Sequence, residues 1–170
     1  VAAINAMGIL NIGTGSDAEK TLLADVVSTL EKFYLKPLGS GEQLIQSHCP
    51  NAIAKLIGRD HEKSDYYKEK FAEDLQEKGK VKRSSNQIAQ SCVLALGQMV
   101  RPNEEKDEKK NPDAKYSKLL LDVFHDHKNT QTRNFAALAL GLAEPPEARY
   151  PTAQALAAGT CVRAHSRASR

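Results

Sequence analysis

Thr130-Gln131-Thr132-Arg133-Asn134-Phe135-Ala136-Ala137-Leu138-Ala139-Leu140-Gly141-Leu142-Ala143 is the stretch whose reading decides the fold. Polar helix-start residues lead into Ala, Leu and one Gly, so its second half is apolar on nearly every side. A helix of that composition cannot face water alone and must lie between neighbours. The neighbours look like copies of it. Aligned on the glycine, Ala3-Ile4-Asn5-Ala6-Met7-Gly8 and Cys92-Val93-Leu94-Ala95-Leu96-Gly97 match Ala136-Ala137-Leu138-Ala139-Leu140-Gly141. Each has small residues five and two positions before Gly and a large apolar residue one position before. Ile53 to Gly58 is a weaker fourth member. Successive glycines then stand 50, 39 and 44 residues apart, with at least one amphipathic helix in each interval.

The intervals carry ordinary helix punctuation. Ser16-Asp17-Ala18-Glu19 is a capping box, and Leu23, Val26, Val27, Leu30, Phe33 and Tyr34 follow at helical spacing. A short helix from Leu44, a bend at Pro50 and a second short helix come next. His61 to Ser64 reads as loop. Tyr66, Tyr67, Phe71 and Leu75 mark one side of a charged helix. Ser84 to Gln87 offers a second capping box before a helix running from Ile88 to Val100. Asn103 to Lys110 has no apolar residue and reads as a solvated loop. Asn111-Pro112 then supplies a cap and a proline at the first helical position, ahead of a stripe from Tyr116 to His127. Glu144-Pro145-Pro146 stops the last strong helix, and 144–170 is an Ala- and Arg-rich partial repeat or tail.

The totals fit this pattern. One hundred and seventy residues suit one domain or a short piece of an array, and only 5% of them are aromatic. Ala and Leu dominate the hydrophobic 41%, which favours helices packed through small side chains over a β-sandwich. A net charge of +3 gives no general nucleic-acid signature. Cys49, Cys92 and Cys161 are far apart, without a Cys-x-x-Cys pair, so neither a zinc framework nor a disulfide scaffold is indicated. No apolar run is long enough to span a bilayer. Val1 to Ile12 lacks a basic leader and does not read as a signal peptide. Cytoplasmic residence is slightly favoured. The chain opens as though already inside a helix, which favours a processed product or a piece of something longer.

Arg133-Asn134-Phe135-Ala136-Ala137-Leu138-Ala139-Leu140-Gly141 resembles the second helix of a HEAT repeat, in particular the bacterial HEAT-repeat proteins with Ala-Leu-Gly endings. The resemblance covers residues 1 to about 143, and its period agrees with the 40 to 47 residues of helix-pair arrays. It implies an all-α fold, an α-solenoid of about three to four stacked antiparallel helix pairs. HEAT repeats often carry Asp and Val before the Arg, whereas Thr130 to Arg133 keeps the Arg alone. The implied function is a non-catalytic scaffold or adaptor that binds a protein partner or joins a larger assembly; the alternative is a HEAT-type enzyme or enzyme-associated factor, a metal-dependent hydroxylase or lyase-like, or nucleic-acid binding through the Lys78–Arg83 loop. In such a stack Leu138 and Leu140 both belong to the core, and Asp at either position unfolds the C-terminal repeats.

HEAT-like arrays present their second helices along an inner surface. Ten residues before the glycine stand Gln87 and Gln131, and seven before stand Gln90 and Asn134, with His48 and Asn51 at those places in the weak copy. Positions three apart share a helix face, so these four amides form a candidate partner-binding ladder able to donate and accept. The bland alternative is that early helix positions are polar because they are wet. Lys78, Lys80, Lys82 and Arg83 could meet phosphate, but Glu73, Asp74 and Glu77 precede them and no aromatics interleave, so nucleic acid is disfavoured. His61-Glu62 is similar to the His-Glu pairs of deoxyhypusine hydroxylases, HEAT-type iron enzymes, yet that family uses several pairs and this chain has one. His125 and His127 are two apart and point apart on a helix. No catalytic residue, cofactor or metal is assigned.

Overall fold

A computed structural model describes residues 1–76, 79, 85–101 and 111–143. The chain is all-α: among the described residues are eight helices and no strand. They are α1 (Ala2–Gly8), α2 (Asp17–Tyr34), α3 (Ser40–Gln46), α4 (Cys49–Ile57), α5 (Ser64–Leu75), α6 (Asn86–Met99), α7 (Ala114–Asp126) and α8 (Thr130–Ala143). The α3–α4 break falls where Pro50, at the start of α4, has no N–H to donate back towards Gln46. Counted as one bent rod, that pair makes seven helices. The basic loop from Lys78 to Arg83 (apart from Gly79), the charged loop at 103–110 and the segment 144–170 lie outside the described residues.

The helices form two layers. In the inner layer α1 packs on α4, α4 on α6 and α6 on α8. In the outer layer α2, α5 and α7 each pack on the inner helix that follows, namely α4, α6 and α8. One core runs through both, filled by Tyr34, Ile53, Phe71, Ile88, Leu96 and Leu120 among others. Polar side chains finish the helix ends inside it. Buried Gln46 turns its amide onto the end of α2, where Nε2 donates to the carbonyls of Phe33 at 2.8 Å and Lys36 at 2.9 Å. Arg59, just past α4, donates from Nε to the Gln98 carbonyl at 3.0 Å and from Nη2 to the Leu142 carbonyl at 2.6 Å. One guanidinium thereby satisfies carbonyls left over at the ends of α6 and α8.

The glycines explain how the inner helices meet. A Cβ on Gly8 would stand 2.8 Å from Ala52 Cα, and one on Gly97 would stand 2.6 Å from Ala139 Cα. Backbones therefore touch at both joints, and a methyl group would not fit without movement. Ala139 lies two positions before Gly141, so Ala52 should lie two before its own reference position, which is Ala54. That corrects the register of the weak copy. Its members are Cys49-Pro50-Asn51-Ala52-Ile53-Ala54, with buried Cys49 standing where buried Cys92 stands in α6. Gly58 is instead the C-cap of α4 at φ +66°, a left-handed position that favours glycine. Gly8, Ala54, Gly97 and Gly141 are 46, 43 and 44 residues apart, a more even period than 50, 39 and 44.

Three further expectations change. The Ser16 capping box is present, Ser16 Oγ accepting from Glu19 N and Glu19 accepting from Ser16 N at 2.9 Å. At α6, however, the N-cap is Ser85, and its hydroxyl donates to Gln87 Oε1 at 2.7 Å and caps no backbone amide. Pro112 stands two positions before the first residue of α7: Asn111 Oδ1 accepts from Asp113 N at 2.9 Å, and the helix starts at Ala114. Leu138 is 55% exposed, so a carboxylate there stays hydrated and does not enter the core. The residues that α8 buries are Thr132, Ala136, Ala139 and Ala143, with Leu140 partly covered.

Candidate functional site

The inner helices leave one strip uncovered. On α6 it is Gln87, Gln90, Leu94 and Gln98, spaced by three, four and four, among the less buried residues of that helix. The equivalent strip on α8 is Gln131, Asn134 and Leu138, all exposed. All four amides singled out from the sequence thus lie on corresponding strips of two adjacent helices. The corrected register moves His48 and Asn51 out of that correspondence, and Leu44 and Ser47 take their places. Asn51 falls level with Leu94, Leu138 and Asn5.

Two amide contacts cross between inner helices, and the sequence spacing did not anticipate them. Gln98 Nε2 donates to Asn51 Oδ1 at 2.5 Å, joining α6 to α4. Gln90 Nε2 donates to Asn129 Oδ1 at 3.5 Å, and the same oxygen accepts from Thr132 N at 2.9 Å as the cap of α8. Gln90 therefore already contributes to a joint, whereas Gln131 and Asn134 stand in water. A signal for Asn129 was present: Asn three residues before a buried Thr at a helix start is an N-cap pattern.

The charge distribution sets this strip apart. Helices α1, α3, α4, α6 and α8 carry Glu42, Lys55 and Arg133 as their charged residues. Glu42 is turned to the Gly39 amide, and Arg133 donates to the His127 carbonyl at 2.7 Å and to Thr130 Oγ1 at 3.1 Å. Outer helices α2 and α5 carry six charged residues each and α7 carries four.

Several of those outer charges are paired across the layer. Glu31 of α2 accepts from Tyr66 OH and Lys70 Nζ at 2.8 Å and from Tyr67 OH at 2.9 Å. Burial works to raise its carboxyl, but the donors from Lys70, Tyr66 and Tyr67 outweigh that and hold it below the ordinary range. Burial and the Glu31 carboxylate both push the Tyr67 hydroxyl up. Glu69 of α5 accepts from Lys115 Nζ at 2.5 Å and Tyr116 OH at 2.8 Å, and those donors lower its carboxyl. Tyr116 is pushed up to about 12 by burial and by Glu69. Between α5 and the start of α7, fully buried Lys68 binds buried Asp113 and reaches Asp65 at 2.7 Å. The other oxygen of Asp113 accepts from Arg101 N at 2.8 Å.

A groove of about 730 Å³ lies between α2 and the α4–α5 loop, floored by Leu23, Val27 and Ile57. His61 and Glu62 are on its lining. His61 Nδ1 accepts from Lys63 N at 3.1 Å, and no cluster of three His, Cys, Asp or Glu side chains able to hold a metal exists among the described residues. His125 is exposed, and His127 Nδ1 accepts from Asn129 N at 3.1 Å. Cys49 and Cys92 are buried thiols, while Cys161 lies outside the described residues. No helix among the described residues is long and apolar enough to cross a membrane. Compared with known protein families, curated proteins and solved structures, the chain gives no significant match to any of them.

Proposed function

We propose that the chain is a HEAT-like α-solenoid segment that works as a non-catalytic protein-binding scaffold, holding its partner along the inner helices. Two successive layers, the even period and the backbone-to-backbone glycine joints support the solenoid reading, because a helix pair of this kind completes its core by stacking. The observation that carries the binding reading is an accessible strip nearly free of charge on a molecule whose outer helices are densely charged. Exposed protein surface normally carries charge, and interface cores are depleted of it. Amides and leucines on that strip suit a partner's backbone groups and small apolar side chains, with Gln87, Gln90, Gln131 and Asn134 as the polar contacts.

Affinity capture with the intact chain tests this when it is repeated with Gln131→Glu plus Asn134→Ala, and separately with Lys118→Glu on outer helix α7. Partners should be lost with the strip variant and kept with the outer one. Retention of every partner by the strip variant eliminates this use of the inner face. Stoichiometric iron in the purified chain would favour a HEAT-type metal enzyme in its place. Affinity for nucleic acid that falls steeply with salt would favour the Lys78–Arg83 loop.

A further inference from the structure

The C-terminal ends of three inner helices meet at one side chain. Helix α4 packs on α6 and α6 on α8, so α6 lies between the other two. Packed helix axes stand about 8–10 Å apart, and in a flat stack two such steps would separate α4 from α8 by about 16–20 Å. An arginine side chain is much shorter than that. Arg59 nevertheless leaves the end of α4 and reaches both the Gln98 carbonyl in α6 and the Leu142 carbonyl in α8. The three ends are therefore drawn together on this edge, and the inner layer curves around it.

The surroundings of Arg59 serve the same purpose. Gly58, at φ +66°, turns the chain out of α4 immediately before it. Arg101, two residues past α6 as Arg59 is two past α4, returns a bond from Nη2 to the Arg59 carbonyl at 3.2 Å. Neither α6 nor α8 carries a basic residue in its own last turn. Helix C-termini bear partial negative charge, so a single cation shared between two of them offsets a repulsion that neither helix relieves by itself. We infer that Arg59 is a clasp that fixes the pitch of the inner stack. Without it α7 stays pinned to α5 through Lys68 and Asp113. Helix α8 then pivots about the contact of Gly97 with Ala139, and its last turns move away from α4 while both helices remain folded. The clasp acts on the stack itself, whether or not the inner strip binds a partner.

Electron-spin distance measurements on the full chain test this, with labels at Lys55→Cys and Leu138→Cys, both exposed and both towards those helix ends. Cys161→Ser leaves buried Cys49 and Cys92 as the other thiols. With Arg59 in place the labels should report one narrow distance. Arg59→Met should give a longer and broader distribution with helicity unchanged. Lys63→Met, which removes an exposed cation from the same loop, should leave the narrow distance as it was. A distribution that Arg59→Met does not alter overturns the inference, and so does an equal shift with Lys63→Met. Loss of helicity in Arg59→Met overturns it as well, because Arg59 would then keep the helices folded rather than aligned.

Discussion

The inner and outer layers of this molecule are joined by opposite means. Inner helices meet through glycine and alanine, and at the α1–α4 and α6–α8 joints a single methyl group is too much. Outer helices are linked by the tips of long side chains, with Glu31, Glu69 and Asp113 each gathering tyrosine, lysine or backbone donors. Close packing fails when volume is added, because interiors have little slack. A polar junction fails when one partner is removed and the other is left buried without a counter-charge. The two layers should therefore be sensitive to different substitutions, and that difference can be measured.

The largest effect should come from the outer layer at its most buried point. Asp113→Ala leaves the fully buried Lys68 with the exposed Asp65 as its remaining carboxylate and strands the Arg101 amide, and should cost up to about 3–5 kcal/mol of unfolding free energy in a urea titration. Adding Lys68→Met should recover most of that loss. If the double variant is as unstable as the single, the buried charge is not the cause.

In the inner layer, the same substitution should change sign with position. Gly97→Ala forces a methyl against Ala139 and should destabilise by roughly 1–3 kcal/mol. Gly141→Ala meets open space and should stabilise by about 0.5–1 kcal/mol, the usual advantage of alanine within a helix. Equal effects at the two positions would mean that the inner joint is looser than its geometry states.

The smallest effect concerns acid. Glu31 and Glu69 have carboxyl groups held below their ordinary values in the fold. The unfolded chain therefore takes up protons before the folded one does as pH falls. The stability they contribute is present above the ordinary carboxylate pKa of 4.5 and is lost as pH falls through their lowered values. Thermal melts of the Glu31→Gln, Glu69→Gln double variant should show a shallower decline below pH 4.5 than the wild type. Identical acid profiles would remove both carboxylates from the account.

Helices of both layers were legible in the sequence, the inner ones also as a repeat, but the polar junctions of the outer layer were not, for a physical reason. Ala, Gly and Leu at fixed spacing leave a pattern in composition, and α1, α6 and α8 were found from it. The weak copy was misplaced because Ala54 stands where the others have glycine, while Gly58, four residues on, has a capping role. Leu138 was assigned to the core because spacing alone does not say which flank of a helix has a neighbour. The burial of Lys68 left no local trace. It depends on Asp113, forty-five residues away, and an isolated lysine in a charged helix is ordinarily on the surface. The four amides could be placed on helix faces by counting, but the Asn51–Gln98 contact could not, since it crosses between helices whose register was wrong by four residues.

Arg59 has a bearing on how the chain is made. Its guanidinium engages one carbonyl 39 residues downstream and another 83 residues downstream. During synthesis, the exit of α4 emerges long before either acceptor exists, and the side chain stays in solvent until α6 and then α8 have been added. Each of those helices supplies one acceptor, so the full set of bonds made by this one side chain requires the chain to be complete through α8.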